Sequence, residues 1–210
     1  MRIGIIQASS QAGKNRFLAD TVKKYAAGAE VFNFGCREGE PETYSYIEIS
    51  LLAGMLLASE AVDYIVTGCS SGQGMMLACN SFPGVLCGYA PTPMDAYLFA
   101  QINNGNAVSL PLGEEYTWTG YENCEATVAR LFSEPFGQGY PKGEAERKLK
   151  DTLLLKRIRA GGQVSAAALL ESLDRPLAEK LLRKRDVTDF ILRNGKGEVV
   201  RWLRKQNQSI

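Results

Sequence analysis

Apolar residues along this chain fall into short clusters separated by polar turns, and the clusters alternate between two periods. Arg2–Gln7, Val31–Phe34, Asp63–Thr67, Val85–Tyr89 and Ala107–Leu110 are compact, largely apolar runs, the pattern of strands buried on both faces. Between them, Arg16–Ala27 places Phe17, Leu18, Val22 and Tyr25 at helical spacing, and Tyr46–Ser59 does so with Leu51, Leu52, Met55 and Leu56. A third helix begins at Gly74 and ends at Ser81, before Phe82-Pro83-Gly84. Thr92-Pro93 opens a fourth, which runs to about Ile102, with proline where its missing N–H costs little. Tyr121–Phe132 and Glu144–Arg159 follow as helices, separated by the loop Ser133–Gly143.

Strands alternating with helices over short connections predict right-handed βαβ units, and hence a parallel sheet covered on both faces. The expected fold class is α/β, a doubly wound five-stranded parallel sheet of flavodoxin or Rossmann-like type in the order 2-1-3-4-5. In that order a crevice opens between the carboxyl ends of strands one and three. Those ends carry Ser9-Ser10-Gln11 and Cys69–Gly74, so the two most unusual polar turns fall on one site.

Past Arg159 the pattern changes. Gly161-Gly162 reads as a hinge, and Ala166–Leu173 and Leu177–Arg185 read as short amphipathic helices. Phe190–Leu192 and Val199–Trp202 flank Asn194-Gly195-Lys196-Gly197, which predicts a hairpin. The chain is therefore expected to divide into an α/β domain, residues 1–159, and a C-terminal helical and hairpin extension, residues 160–210. The many basic residues of that tail are expected to form a solvated face on a packing or dimerising appendage.

Charge narrows the partners. The 24 Lys+Arg nearly cancel the 23 Asp+Glu, so nothing in the balance recommends nucleic acid or membrane. No apolar run approaches the roughly 20 residues needed to span a bilayer, and the chain opens on a strand pattern rather than a signal peptide. Five cysteines without paired metal spacing point to free thiols in a reducing cytoplasm. No cofactor or metal is expected. The chain contains no histidine, which removes that residue as base, metal ligand or triad member.

The chemistry concentrates in Val62–Met76. A strand ends at Gly68-Cys69-Ser70-Ser71-Gly72-Gln73-Gly74 and a helix resumes at Met75. A glycine-rich turn before a helix aims backbone N–H groups at one spot and binds an anion or a developing oxyanion. A thiol in that position can serve as base or nucleophile. The plainer reading, a glycine turn for tightness and a small buried thiol, stands beside it.

Three motifs resemble the ribose-5-phosphate isomerase B and galactose-6-phosphate isomerase family over roughly residues 1–158. Cys69–Met75 resembles the family's Cys-Gly-Thr-Gly-x-Gly-Met turn, Cys79–Gly84 its Ala-Asn-Lys-x-Pro-Gly stretch, and Ile102–Asn106 its His-Asn-Asp-Ala-Asn segment. The resemblance implies an aldose–ketose isomerase working through a cis-enediol, with Cys69 as base and Asn103 and Ser10 in the catalytic group. Substrate contacts would come from Ser9, Gln11, Lys14, Ser70, Ser71, Gly72, Gln73, Gly74, Arg147 and Lys148. It also implies a homodimer or homotetramer with sites built from two subunits, in which the apolar helix Ile47–Ala58 and the tail offer surface for burial. The departures carry information too. Ser10-Gln11 stand where the family has Asp-His, and Ile102 stands where it has a ring-opening histidine. Either the substrate is already open-chain, such as an erythrose or erythrulose phosphate, or Ser10, a tyrosine or a water has taken over ring opening for a longer sugar. Two other classes compete: a non-catalytic sugar-phosphate-binding module of the same fold, and a flavin- or nucleotide-binding domain.

Overall fold

The protein, as a computed structural model, is described over residues 1–115 and 119–208. Strands β1 (Arg2–Ile5), β2 (Glu30–Asn33), β3 (Tyr64–Cys69), β4 (Cys87–Tyr89) and β5 (Ala107–Pro111) form one parallel sheet in the order β2-β1-β3-β5-β4. The doubly wound parallel architecture is as expected, but the far edge is not: β5 lies inside β4, where the order 2-1-3-4-5 put it outside. Burial explains the exchange. Ala107–Pro111 is buried along its whole length, whereas β4 is three residues ending in half-buried Tyr89. A short strand suits a sheet edge.

Helices α1 (Asn15–Tyr25), α4 (Pro93–Leu98) and α5 (Tyr121–Leu131) cover one face, where Leu18, Val22, Ala96 and Val128 pack on Ile3, Ile5, Val66 and Val108. On the other face, α2 (Tyr46–Ala58) and α3 (Gln73–Ser81) bring Ile49, Leu52, Met55, Met75 and Cys79 against Ile6 and Ile65. Helix α2 is started by a capping box, in which Ser45 and Glu48 satisfy each other's backbone N–H groups. Helix α6 (Ala145–Gly161) follows α5 and ends where the hinge was expected.

The expected hairpin is replaced by two helices. Beyond α7 (Ala166–Glu171) and α8 (Arg175–Arg183) come α9 (Arg185–Asn194) and α10 (Gly197–Gln208). Val187 and Ile191 lie four apart, and Val199, Val200, Trp202 and Leu203 bury one helical face. The two glycines thus stop one helix and start the next. Leu170, Leu181, Ile191, Val199 and Leu203 join the same core as Leu52 and Leu56 of α2, and Phe190 packs on Phe32 and Phe34 with centroids 4.7 and 5.0 Å apart. Helix α2 is apolar all round because the sheet buries one side and the tail of the same chain covers the other. No described helix is long and apolar enough to cross a membrane.

Candidate active site

The thiol turn is shaped by its backbone. Cys69 is the last residue of β3, paired in register with Pro111, and only 8% exposed. Gly72 caps α3 at φ +75°, and a Cβ there would stand 2.8 Å from both the Pro111 nitrogen and the Tyr89 ring. Position 72 therefore needs glycine for conformation and for space. That geometry lets the Gly72 N–H donate to the Cys69 Sγ at 3.3 Å, while Ser109 Oγ donates to the Gly72 carbonyl at 2.6 Å. The first turn of α3, from Gln73 and Gly74 onward, leaves N–H groups without intrahelical acceptors beside the thiol. Gly113 packs against Ser70, where a Cβ would come within 2.7 Å, and this closes the back of the turn.

Strand β1 delivers the second wall, as the topology required. The 3₁₀ turn Ser9–Lys14 crosses the carboxyl edge of the sheet, and the Gln11 amide donates to Ser70 Oγ at 3.0 Å. Ser10 and Ser70 hydroxyls lie 3.5 Å apart. Ser9 turns away to accept the Tyr44 N–H at 2.7 Å, and its own N–H donates to the Tyr44 carbonyl. Lys14 is nearly buried and pairs with Glu114 at 3.2 Å. Together Ala8, Ser10, Tyr44, Ser45, Tyr46, Cys69, Ser70, Ser71 and Gly74 line a cleft of about 370 Å³. Hydroxyls dominate its polar lining, and no Lys or Arg is among those residues.

Tyr44, Ser45 and Tyr46 went unnoticed in the sequence. The loop after β2 ends at the same edge as β1 and β3, so topology alone could have placed them there. Burial pushes the Tyr44 phenol up to about 12. The other thiols are poorly placed for chemistry: burial raises Cys36, and raises Cys124 to about 12, while Cys87 is pushed well up by its hydrogen bond with Cys79 and by burial.

Three candidate residues lie elsewhere. Asn103 ends the π-helical turn Phe99–Asn103, just ahead of β5, and Ala107 at the start of β5 pairs with Ile65 near the start of β3. In a parallel sheet, residues before a strand sit at the amino edge, about 3.3 Å per residue from the carboxyl edge. Within one chain, Asn103 therefore does not approach Cys69, contrary to expectation. Arg147 and Lys148 begin α6, which packs on the same turn: Thr152 Oγ1 donates to the Ile102 carbonyl at 2.6 Å, and Lys156 Nζ to that of Asn104 at 2.6 Å. Arg147 is exposed and paired with Glu144 and Asp151.

The profile of the ribose/galactose isomerase family matches residues 3–150. A solved 4-deoxy-L-threo-5-hexosulose-uronate ketol-isomerase, complexed with a tartrate, is 35% identical over 100% of both chains with a TM-score of 0.91. A ribose-5-phosphate isomerase structure from Vibrio parahaemolyticus is 32% identical over 98% of both chains, with a TM-score of 0.90. The ribose-5-phosphate isomerase B of Clostridium thermocellum is 26% identical, at a TM-score of 0.57, over 75% of this chain and 99% of its own. Among curated proteins no sequence matches.

Proposed function

The chain belongs to the ribose/galactose isomerase family, and from that premise we propose that it is an aldose–ketose isomerase acting on an open-chain, acidic sugar derivative with Cys69 as base. The observation that carries this reading is the placement of Cys69 at the floor of the hydroxyl-lined cleft, with the Gly72 N–H on its sulfur. A C–H beside a carbonyl is a weak acid, so isomerisation needs one base and donors for the oxyanion. In the proposed sequence the Cys69 thiolate takes the proton from carbon 2 of the aldehyde form. The resulting enediolate is held by N–H groups of Ser71, Gln73 and Gly74. The hydroxyl proton on the carbon 2 oxygen passes to the oxygen on carbon 1, and the proton on sulfur returns to carbon 1 as the oxygen on carbon 2 becomes the carbonyl. Ser10, Gln11 and Ser70 bind substrate hydroxyls.

The substrate class follows from what the chain lacks. With no histidine, it has no imidazole to open a sugar ring. A 4-deoxy-5-hexosulose uronate has no hydroxyl on carbon 4 and a carbonyl at carbon 5, so neither usual hexose ring can close. A tetrose 4-phosphate meets the same condition. The uronate is favoured because the ketol-isomerase of that compound is 35% identical over the whole of both chains.

A second subunit completes the proposal. Leu153, Leu154 and Ile158 stand exposed on α6, next to the turn that carries Asn103. Burying that stripe across a two-fold axis would bring Asn103, Arg147 and Lys148 of one subunit toward the cleft of the other, making the enzyme a homodimer. Parallel turnover assays with 4-deoxy-L-threo-5-hexosulose uronate, erythrose 4-phosphate and ribose 5-phosphate test the reading. The uronate is expected to be preferred, and a clear preference for ribose 5-phosphate would overturn the open-chain assignment.

A further inference from the structure

Most basic residues of the tail are solvated, among them Arg185, Arg193, Lys196, Arg201 and Arg204. Lys180, Arg183 and Lys184 instead close on the loop that carries one wall of the cleft. Lys184, at the junction of α8 and α9, has a side chain only 5% exposed. Its ammonium pairs with Glu40 at 2.9 Å and Asp186 at 3.2 Å and faces the Tyr44 ring at 5.7 Å. Glu40 is held from the other side by its own loop, accepting the Arg37 N–H at 2.9 Å. Arg37 in turn reaches Asp186 at 3.8 Å. Two cations and two carboxylates thus form a closed, neutral cluster, the condition under which a buried ammonium is tolerated. Position 35 is glycine, where a Cβ would meet the Glu40 carboxylate at 2.4 Å.

One turn earlier on α8, Lys180 pairs with Glu48 at 3.1 Å and also faces the Tyr44 ring at 5.7 Å. Glu48 accepts the Ser45 N–H at 2.6 Å. Arg183 pairs with Glu42 at 3.3 Å. Tail cations thus face the Tyr44 ring and reach the Ser45 N–H through Glu48, while the Tyr44 backbone is pinned to Ser9.

We infer that the C-terminal helices brace the cleft, with Lys184 and Lys180 as positioning residues that hold the Tyr44–Tyr46 wall over Cys69 without contributing an atom to the lining. The inference rests on the reading of that cleft as the substrate site, and one of its readouts does not depend on turnover. The full-length Lys184→Met and Lys180→Met proteins are compared with wild type in two measurements. The first is the rate of Cys69 alkylation by iodoacetamide, assigned by peptide mapping. Loosening the wall is expected to raise it on the order of tenfold, because local opening that exposes the thiol becomes more frequent. Cys79, which is fully buried elsewhere, serves as the unreactive reference. The second is steady-state turnover of the open-chain uronate, where KM is expected to rise and kcat to stay near wild type. Faster alkylation of the variants, with a wild type that turns over none of the uronate, erythrose 4-phosphate and ribose 5-phosphate, upholds the brace and rejects the isomerase reading. Unchanged alkylation and unchanged KM in a folded variant overturn the brace. Lys180 is less buried, at 27%, so Lys180→Met decides the matter if Lys184→Met does not fold.

Discussion

At the scale of single residues, the turn Cys69–Gly72 couples a thiol to the backbone that shapes it. Cys69→Ala is expected to cost turnover about 10²- to 10⁴-fold, the usual contribution of a general base, while Cys36→Ala and Cys87→Ala leave most of it. Steady-state assays of the three variants check this. Gly72→Ala forces an L-residue to φ +75° with its Cβ against the Pro111 backbone, at a cost on the order of 1–3 kcal/mol readable in urea unfolding. Tyr44 carries a pH signature. Its folded value of about 12 lies above the ordinary 10, so its burial stabilises the fold fully below pH 10. That share is lost as pH climbs through the folded value, because the unfolded chain ionises first. Tyr44→Phe should flatten the alkaline loss of stability, measured by thermal melts across that range.

At the scale of elements, the apolar pattern was most legible where burial is complete on both faces. Each of the five strands stands within a residue or two of where its apolar run placed it. The thiol turn and the Ser10-Gln11 turn met because parallel strands end on one edge, a consequence of topology that needs no side-chain detail. The edge order was not legible: runs of similar length do not say which of β4 and β5 is more deeply covered. Nor was the tail. Asn194-Gly195 next to β-branched residues mimics a turn, and only the packing of Val199, Val200 and Trp202 on α2 selects helix. Asn103 was misplaced because a motif names residues, while its distance to the thiol depends on which end of the strand it adjoins. Helix α2 offers a test of close packing. Gly54 abuts the Phe82 ring so tightly that a Cβ would lie 2.2 Å from it. Gly54→Ala should destabilise by about 1–3 kcal/mol, as overpacking does, despite alanine's better helix propensity, and chemical denaturation measures it.

At the scale of the whole molecule, the proposed enzyme divides its groups between the two edges of one sheet. Cys69→Ala and Asn103→Ala proteins should each be weak alone. Refolded together, they should regain about a quarter of wild-type activity, since half the dimers are mixed and each has one intact site. No recovery on mixing would count against shared sites. Leu154→Glu should shift light scattering toward the monomer and lower activity with it. The tail's place in the core bears also on how the chain is made. Leu170, Leu181, Ile191 and Val199 cover α2, yet they leave the ribosome only after every strand has been synthesised. Until then the nascent sheet carries a helix whose outer face is as apolar as its inner one. A ribosome stalled past Pro111 but short of α7 would hold a finished sheet with that face open to water. Translation itself thus creates an interval of exposure, and chaperone capture should peak in that interval and fall away as the last helices emerge.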